Sequence, residues 1–361
     1  MSAPQQFDVL VVGLGPAGGA AAAAAASAGL SVLAIERKPQ IGVPVQCAEF
    51  IPLPLGAYAQ ADGVLQQRIS GMHSYLPSGA AQHSALPGLM IDRAAFDQAL
   101  ARQAQAQGAE VWCEARLLRV DAQQQRAVVG TPSGMRELGY RTLIAADGPH
   151  SSVAASLHLT PLAAVYSRQY TLPLLRPLAD TEIWLSGDFP GGYAWLFPKG
   201  ERANLGAGAD KRFTHDLKQP LDALHCELAA QGVLGAEILG VTGGLIPVGG
   251  LREVLVLGNV LFAGDAAGLT HPISGAGIAA AVASGELAGE AAGRYLQQGR
   301  AHALAEYEDE IRARYAPSLQ RALARRRQME DHWRTGMDDA RLRRGWIAFA
   351  EYYETGNAGA N

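Results

Sequence analysis

The sequence contains few cysteines, and none lies at a spacing typical of a metal site. Cys47, Cys113 and Cys226 form an odd, widely separated set among 361 residues, so we predict neither a disulfide framework nor a bound metal. No cleavable leader is evident at the start of the chain. These features favour a cytoplasmic protein.

An excess of charge of one sign is also lacking. The chain has 30 Lys and Arg residues against 34 Asp and Glu residues, and its net charge is -4. Aromatic residues make up 7% of the chain, and no basic run is interleaved with them as a base-stacking surface requires. We therefore predict no nucleic-acid partner. The length and the 48% of hydrophobic residues indicate a large core and about two domains.

Residues 7–36 contain no charged residue between Asp8 and Glu36. Residues 9–12 resemble a strand that is buried on both faces, and a glycine-rich turn and an alanine-rich helix follow them. Gly13 permits the turn, Gly15 allows close approach of a pyrophosphate, and Gly18 allows the helix to pack on its strand. Glu36 ends a second strand, where a carboxylate can accept hydrogen bonds from ribose hydroxyls. The pattern predicts a dinucleotide site.

A membrane helix or a signal peptide is the alternative for this stretch, which is long enough to cross a bilayer. However, the stretch contains five glycines and Pro16, and no basic residue precedes it. We therefore favour the dinucleotide site.

A second motif, Gly264-Asp265, ends a predicted strand and is followed by a helix that begins among small residues. Asp265 can accept a hydrogen bond from a sugar-alcohol hydroxyl, although a structural turn is the simpler interpretation. The helix N-terminus near Gly277 can approach a flat ring and stabilise negative charge on it. If both motifs serve one ligand, the domain that binds it must be discontinuous.

The remaining pattern predicts an α/β protein with a Rossmann-like domain, an inserted antiparallel sheet and a helical C-terminal segment. We expect a loop at 37–49 and irregular structure at 50–89. The predicted strands are 111–120, 127–130, 142–146, 181–185, 193–197, 203–207, 254–257 and 260–263, and the predicted helices are 93–107, 219–231, 277–298 and a helical pattern over 306–353. The predicted domains are 1–70, 90–158 and 251–300 for the ligand, 71–89 and 159–250 for the sheet, and 301–361 for the C-terminal segment.

Five sequence segments together resemble the geranylgeranyl reductase family of FAD-dependent oxidoreductases, within the flavoprotein hydroxylase and reductase superfamily. They are GLGPAG with Glu36, AADGPHSS at 145–152, AGDAAGLTHPISGAGI at 263–278, PGGYAWLFP at 190–198, which fits the pattern PxxYxWxFP, and GVPVQCAE at 42–49. The resemblance implies that FAD is bound through Gly13, Gly15, Ala17, Gly18, Glu36, Arg37, Cys47, Ala48, Arg93, Leu117, Asp147, Asp265, Gly275, Gly277 and Ile278.

The same resemblance implies an aromatic wall for the substrate. Tyr193, Trp195 and Phe197 alternate along one predicted strand and so share a face, which is either that wall or the core of a sheet. Phe50 stands where the family often has glycine, and it narrows the space for a long prenyl chain.

The family's chemistry is the transfer of a hydride from reduced FAD to an alkene carbon of an isoprenoid lipid, with a proton added to the other carbon. Cys47 is the candidate proton donor or redox partner, with a buried inert thiol as the alternative, and His271 is a second candidate. Because no second strand-GxGxxG-helix unit is present, electrons must come from transiently bound NADPH or NADH or from a protein such as a ferredoxin.

Two other functions are compatible with the FAD signatures. One is a flavin monooxygenase that acts on an aromatic substrate or a protein side chain, and the other is an electron-carrying flavoprotein. In the C-terminal segment, arginines and tryptophans either contact an anionic membrane at its inner face or belong to a solvated helical lid. The candidate membrane contacts are Arg325, Arg326, Arg327, Arg343, Arg344, Trp333 and Trp346.

Overall fold

The computed structural model describes residues 4–333 and 336–354. In chain order the strands are β1 (Gln5–Val12), β2 (Val32–Ile35), β3 (Phe50–Pro52), β4 (Leu65–Ile69), β5 (Met72–Tyr75), β6 (Ala81–Ser84), β7 (Gly88–Ile91), β8 (Glu110–Trp112), β9 (Arg116–Asp121), β10 (Arg126–Thr131), β11 (Gly134–Ala145), β12 (Ala164–Pro173), β13 (Thr181–Trp184), β14 (Ala194–Lys199), β15 (Arg202–Ala209), β16 (Gly240–Thr242), β17 (Leu245–Pro247), β18 (Val256–Leu257) and β19 (Val260–Phe262). The α-helices are α1 (Pro16–Ser27), α2 (Arg93–Ala106), α3 (Ser152–Ser156), α4 (Lys218–Ala230), α5 (Ile278–Leu296), α6 (Ala303–Glu330) and α7 (Asp339–Gly345), and short 3-10 helices span Leu53–Ala59, Gly264–Ala267 and Ala350–Tyr352.

The first sheet has the strand order β18-β19-β11-β1-β2-β8, and β9 and β10 extend it from β11. Strands β19, β11, β1, β2 and β8 run parallel. The last four residues of β1 and all of β2 are buried, as expected for strands that are covered on both faces. The predicted fold class, with a Rossmann-like FAD-binding domain, an inserted sheet and a helical C-terminal segment, is confirmed.

Helices α1 and α5 pack tightly on this sheet because small residues line their interface. A Cβ built on Gly285 would lie 2.1 Å from the carbonyl oxygen of Ala17, and one on Gly289 would lie 2.5 Å from that of Ala21. The alanines of α1 thus serve close helix packing. This contact fixes α5 beside the glycine turn that begins α1.

The second sheet has the order β16-β12-β15-β14-β13-β5-β6, and β17 also pairs with β12. Its pairs are antiparallel, except that β5 runs parallel to β13. The expectation of irregular structure at 50–89 was wrong, because this region contains strands β3 to β6 and part of β7. These strands are only three to five residues long, and apart from the β5–β6 hairpin they pair with segments that are not adjacent in the chain, so their local signal is weak. The domain boundaries themselves stay a prediction.

The C-terminal segment forms α6 and α7 rather than one continuous helical pattern. The hypothesis that Arg325, Arg326 and Trp346 contact a membrane was wrong, because all three are buried. Arg325 donates hydrogen bonds to the backbone carbonyl of Tyr352, and Arg326 pairs with Asp210. Residues 1–3, 334–335 and 355–361 of the predicted domains lie outside the described residues. In the described part, no helix combines the length and apolar character that a membrane span needs.

Candidate functional site

The sequence motifs meet at one edge of the first sheet. Gly13 follows β1, Glu36 follows β2, Asp147 closely follows β11, and Asp265 follows β19. These four strands are neighbours and run parallel, so their carboxyl ends lie side by side, which is the edge where open α/β sheets bind ligands. The two distant motifs therefore belong to one site.

The glycine turn is closely packed against the loop after β11. Gly13 has a φ of +92°, and a Cβ there would lie 2.6 Å from the carbonyl oxygen of Ala146. A Cβ on Gly18 would lie 1.8 Å from the carbonyl oxygen of Gly13. By contrast, a Cβ on Gly15 would meet only the Arg93 guanidinium, at 3.7 Å. Gly13 and Gly18 are thus required by the chain itself, whereas Gly15 faces an accessible side of the turn.

Two helix N-termini have no side-chain cap in the part of the chain that the structure describes, so their first backbone N–H groups can serve a ligand. Neither Gly15, before α1, nor Gly277, before α5, provides a side-chain cap. The first N–H groups of a helix need an acceptor and attract negative charge. Both helix starts therefore suit anionic parts of a ligand, as the sequence predicts.

Acidic side chains border the same edge. The Glu36 carboxylate accepts hydrogen bonds from the backbone N–H groups of Leu14 (3.1 Å) and Lys38 (3.0 Å). One oxygen of Asp147 accepts from Ser152 at 2.8 Å, while its other oxygen, Oδ1, is buried without a partner among the described residues. An unpaired buried oxygen of this kind suits a ligand hydroxyl or N–H donor.

Asp265 lies next to the start of α5. Its carboxylate accepts a hydrogen bond from Thr270 Oγ1 at 2.5 Å. Burial raises the pKa of this carboxyl, and the Thr270 hydrogen bond and the charge of Arg93 oppose that effect. A Cβ on Gly277 would lie 3.0 Å from Thr270 Oγ1 and 3.3 Å from Asp265 Oδ1. Gly277 thus keeps the backbone of α5 close to this polar pair.

Arg93 connects the glycine turn with the loop that carries Cys47. Its guanidinium forms a bidentate pair with Asp97, with N–O distances of 2.8 and 3.2 Å. Burial opposes the charge of Arg93, but Asp97 and Cys47 together raise its pKa above the usual value. Burial raises the pKa of the Cys47 thiol, although the Arg93 charge acts in the opposite direction. Both groups are therefore protonated at neutral pH.

The remaining residues that were predicted to contact FAD lie in several different surroundings. Ala17 is buried where α1 meets Gly264, and Ile278 begins α5 beside Phe96. Gly275 lies close to the Tyr193 hydroxyl, and Ala48 packs with the aromatic residues described below. Arg37 is exposed beyond Glu36, and Leu117 is buried in the core of the first sheet. The structure therefore gives Leu117 a packing environment, and its predicted contact with adenine stays a prediction.

The three aromatic residues of the PGGYAWLFP segment belong to one cluster. Tyr193 and Trp195 meet edge to face with centroids 5.7 Å apart, and the Phe197 ring lies 6.0 Å from that of Phe50. Trp195 Nε1 donates to Gln169, whose amide donates to the backbone carbonyl of Cys47. Trp346 of the C-terminal segment covers Tyr193 at 4.7 Å between centroids. The cluster therefore borders the Cys47 loop.

Sequence reasoning missed several residues of this region. Gln169, Lys199, Asn204 and Tyr352 carry no motif signal, because each reaches the site by contact between distant segments, and Trp346 was considered only as a membrane contact. Glu49 was recognised only as part of the Cys47 loop, although it is 4% exposed and accepts hydrogen bonds from three groups.

Comparison with known proteins identifies the family. Residues 8–146 match the sequence profile of the family described as FAD dependent oxidoreductase. Digeranylgeranylglycerophospholipid reductase 2 of Methanopyrus kandleri is 34% identical in an alignment of length 342 that covers 88% of this chain and 85% of the relative. The corresponding reductase of Thermoplasma volcanium is 33% identical over 79% of this chain and 78% of its own length. This chain belongs to the geranylgeranyl reductase family of FAD-dependent oxidoreductases.

Solved structures agree with this family. A geranylgeranyl bacteriochlorophyll reductase-like protein from Thermoplasma acidophilum has a TM-score of 0.83 and 28% identity, covering 91% of this chain and 88% of that protein. Aklavinone-11 hydroxylase, in a complex with FAD and aklavinone, has a TM-score of 0.71 and 23% identity, covering 92% of this chain and 70% of the hydroxylase. At that identity the hydroxylase shares the fold alone.

The residues at the sheet edge fit FAD. A dinucleotide with an anionic centre needs N–H donors for its phosphates and acceptors for its hydroxyl or N–H groups. The uncapped N-termini of α1 and α5 and the accessible side of Gly15 can serve the phosphates. Asp147 Oδ1, which is unpaired among the described residues, can accept a hydrogen bond from the ligand. In this reductase-family protein, the turn around Gly15 would hold the pyrophosphate, and Glu36 the adenosine ribose. The start of α5 at Gly277 would support the flavin ring.

His271 is a neutral imidazole in the folded protein. Its Nδ1 accepts a hydrogen bond from the Ser274 backbone N–H at 3.2 Å, so its proton lies on Nε2, 3.3 Å from the Tyr352 hydroxyl oxygen. Burial lowers the pKa of His271 to about 4. His271 therefore does not supply a proton as an imidazolium ion at neutral pH.

Because His271 is buried and neutral, we expect the folded protein to lose stability in acid. An unfolded histidine has a pKa of about 6.5, so between that pH and 4 the unfolded chain binds a proton that the folded chain resists. We expect the free energy of unfolding to fall by roughly 3 kcal/mol across this window because of His271. Denaturant unfolding at pH 7 and pH 4 measures this fall, which should be correspondingly smaller in His271→Gln. Equal losses in both proteins would contradict the assignment.

Thiol reactivity tests the environment of Cys47. Cys226 is exposed, whereas Cys47 is partly buried, has a raised pKa and lies against Arg93. Since the thiolate is the reactive form, we expect iodoacetamide to alkylate Cys47 at least about tenfold more slowly than Cys226 at pH 7.5. Mass spectrometry of the three cysteine peptides measures the rates. Cys47 reacting first would show that its thiol is ionised.

Proposed function

We propose that this enzyme reduces carbon-carbon double bonds in the prenyl chains of a geranylgeranylated glycerophospholipid. The observation that carries the proposal is the aromatic cluster of Tyr193, Trp195 and Phe197 beside the Cys47 loop. The names of the relatives with 34% and 33% identity support the same substrate class. Bound FAD in its reduced state supplies a hydride to one alkene carbon.

The aromatic cluster orients the substrate by shape. A prenyl chain offers no polar group beside its double bonds, so its position must come from apolar contact and from the exclusion of water. Trp195 is fixed by its hydrogen bond to Gln169, and Tyr193 is fixed by its hydrogen bond to the carbonyl oxygen of Ser274. Both rings are therefore held rigidly enough to act as a wall.

Cys47 is the proposed source of the proton for the second alkene carbon. Its Sγ retains a proton at neutral pH because burial raises its pKa. The backbone N–H of Glu49 donates to Sγ at 3.2 Å and fixes its position. His271, the second candidate from the sequence, is a neutral imidazole at pH 7 and is therefore the weaker proton donor of the two.

Electrons would reach the enzyme from outside. The described part of the chain has one strand-glycine turn-helix unit of the dinucleotide type, at Gly13 to Gly18, so NADPH, NADH or a ferredoxin would bind transiently. We further propose a cytoplasmic enzyme that meets its lipid substrate at the inner face of the membrane.

An anaerobic assay tests the proposed reaction. The purified enzyme, reconstituted with FAD and reduced with dithionite, would be incubated with digeranylgeranylglycerophospholipid without oxygen. Mass spectrometry should find products heavier by successive pairs of hydrogen atoms. In a parallel assay with NADPH, air and aromatic compounds, oxygen incorporation would instead identify a monooxygenase. Flavin oxidation without either product would identify an electron carrier.

Phe50 is predicted to restrict the length of the chain that the enzyme accepts. Its ring packs edge to face on Phe197 and lies over Gly88, where a Cβ would be 2.2 Å from the ring. Removing the ring in Phe50→Ala should raise kcat/KM for geranylgeranyl over geranyl lipids by roughly tenfold. The geranyl substrate is the internal control in this competition assay. An unchanged ratio would show that Phe50 lies away from the substrate path.

A further inference from the structure

Two histidines and one aspartate converge on the edge of the second sheet, away from the FAD site. His73 on β5 lies directly opposite His83 on β6, and Asp180 immediately precedes β13, the other neighbour of β5. Asp180 Oδ2 lies 3.1 Å from His73 Nε2 and 3.4 Å from His83 Nε2. All three ligand atoms lie within 4.8 Å of one another. Their separation in sequence explains why cysteine and histidine spacing predicted no metal.

We propose that His73, His83 and Asp180 form a binding site for a divalent transition-metal ion, with zinc as its first candidate. In a tetrahedral zinc site with ligands at about 2.0–2.1 Å, neighbouring ligand atoms are roughly 3.3 Å apart. The two histidine-to-aspartate distances already have this value. Two imidazoles with a single carboxylate suit zinc, cobalt or copper better than magnesium or calcium, which prefer sets of oxygen ligands.

Two further observations indicate that this cluster is a built site. Asp180 Oδ1 is buried and has no hydrogen-bond partner among the described residues, so the carboxylate has acceptor capacity that the histidines do not use. Gly71 packs directly against the cluster, since a Cβ there would lie 2.6 Å from His83 Nε2 and 3.3 Å from Asp180 Oδ1, so the backbone at this position accommodates the two side chains only as glycine. The His83 side chain is 52% exposed, which gives an ion and a fourth water ligand access from solvent.

The ion would stabilise the edge of the second sheet, formed by β5 and β6, which lies behind the aromatic cluster. His73 and Ser74 point to opposite faces of β5, and Ser74 Oγ accepts a hydrogen bond from Trp346 Nε1 at 3.0 Å. Trp346 in turn covers Tyr193. A metal that joins β5, β6 and the start of β13 would therefore stabilise the strand on which the C-terminal segment packs.

Metal titration of the FAD-loaded full chain tests the site. The protein would carry no histidine tag, would be treated with EDTA and dialysed, and would contain Cys113→Ser and Cys226→Ser so that exposed thiols do not bind the metal. We expect one zinc ion per chain by isothermal titration. We also expect the visible bands of tetrahedral cobalt, read beyond the flavin absorption, and a rise in Tm of roughly 3–5 °C in excess zinc.

Two variants and one control localise the binding. His83→Ala, on an exposed edge strand, and Asp180→Asn should each weaken zinc binding by roughly 100-fold or more. His302→Ala removes an exposed histidine elsewhere and should leave binding unchanged. Absence of stoichiometric binding in the parent protein would overturn the proposal. So would stoichiometric binding that persists at the parent affinity in His83→Ala, a variant that stays informative even if Asp180→Asn fails to fold.

Discussion

Replacing Gly15 with alanine should lower the affinity for FAD by roughly 100-fold while the apoprotein keeps its stability. Gly15 has a φ of -77°, which any residue adopts, and a Cβ there would meet only the Arg93 guanidinium, at 3.7 Å. The chain therefore tolerates the methyl group, but the pyrophosphate would lose its close approach to the N–H groups of α1. The loss of charge-assisted hydrogen bonds of this kind costs about 3 kcal/mol, and fluorescence titration of apoprotein with FAD measures it.

Gly18 provides the contrasting variant, because an added methyl group there would clash with the protein's own backbone. A Cβ on Gly18 would lie 1.8 Å from the carbonyl oxygen of Gly13, so Gly18→Ala should destabilise even the apoprotein. Gly187→Ala is the matched control, since a Cβ there meets nothing within 4 Å. If Gly15→Ala binds FAD with the affinity of the parent protein, the pyrophosphate does not lie at this turn.

Removing the charge of Glu49 should destabilise the protein by about 3–5 kcal/mol. Its buried carboxylate lies 2.8 and 2.9 Å from Lys199 Nζ and accepts further hydrogen bonds from the Arg93 backbone N–H and the Asn204 amide. In Glu49→Gln the Lys199 ammonium, 17% exposed, would keep only Asp92 as an anionic partner among the described residues, at 3.8 Å. Denaturant unfolding of the apoprotein measures the change.

A double-mutant cycle separates this pair from its surroundings. Lys199→Met should also be strongly destabilising, whereas Glu49→Gln with Lys199→Met should cost less than the sum of the two changes, because neither charge is then left unpaired. Glu137→Gln breaks the exposed pair with Arg126 and should cost at most about 1 kcal/mol. Additive effects at Glu49 and Lys199 would show that the two side chains act independently.

Local patterns predicted the part of the fold that binds FAD. The strands around Gly13 and Asp265 are short, apolar and followed by glycine, so their type and their carboxyl ends can be recognised in sequence. That the two motifs lie in one discontinuous domain was inferred by assuming that both bind the same ligand. The strand order β19-β11-β1-β2 brings them together as that requirement demands.

Long-range pairing accounts for what the sequence did not predict. Strand β5 finds its partner β13 more than 100 residues later, and this pairing alone brings His73 to Asp180. Arg325 and Arg326 are charged residues in a helical pattern, which usually indicates a solvated face. They are buried because Asp210 and backbone carbonyls of distant segments accept their hydrogen bonds. The hydrogen bonds that stabilise these buried guanidinium groups depend on tertiary structure, and the sequence around the two arginines does not indicate them.

The most direct measurement is the reconstitution of apoprotein with FAD, followed by absorbance near the flavin band and by equilibrium dialysis. We predict one FAD per chain in the parent protein. Gly15→Ala, at the first glycine turn, and Gly277→Ala, at the start of α5, should both weaken this binding. A chain that acquires no flavin absorbance, or that binds FAD equally well in both variants, would contradict a single dinucleotide held between these two helix starts.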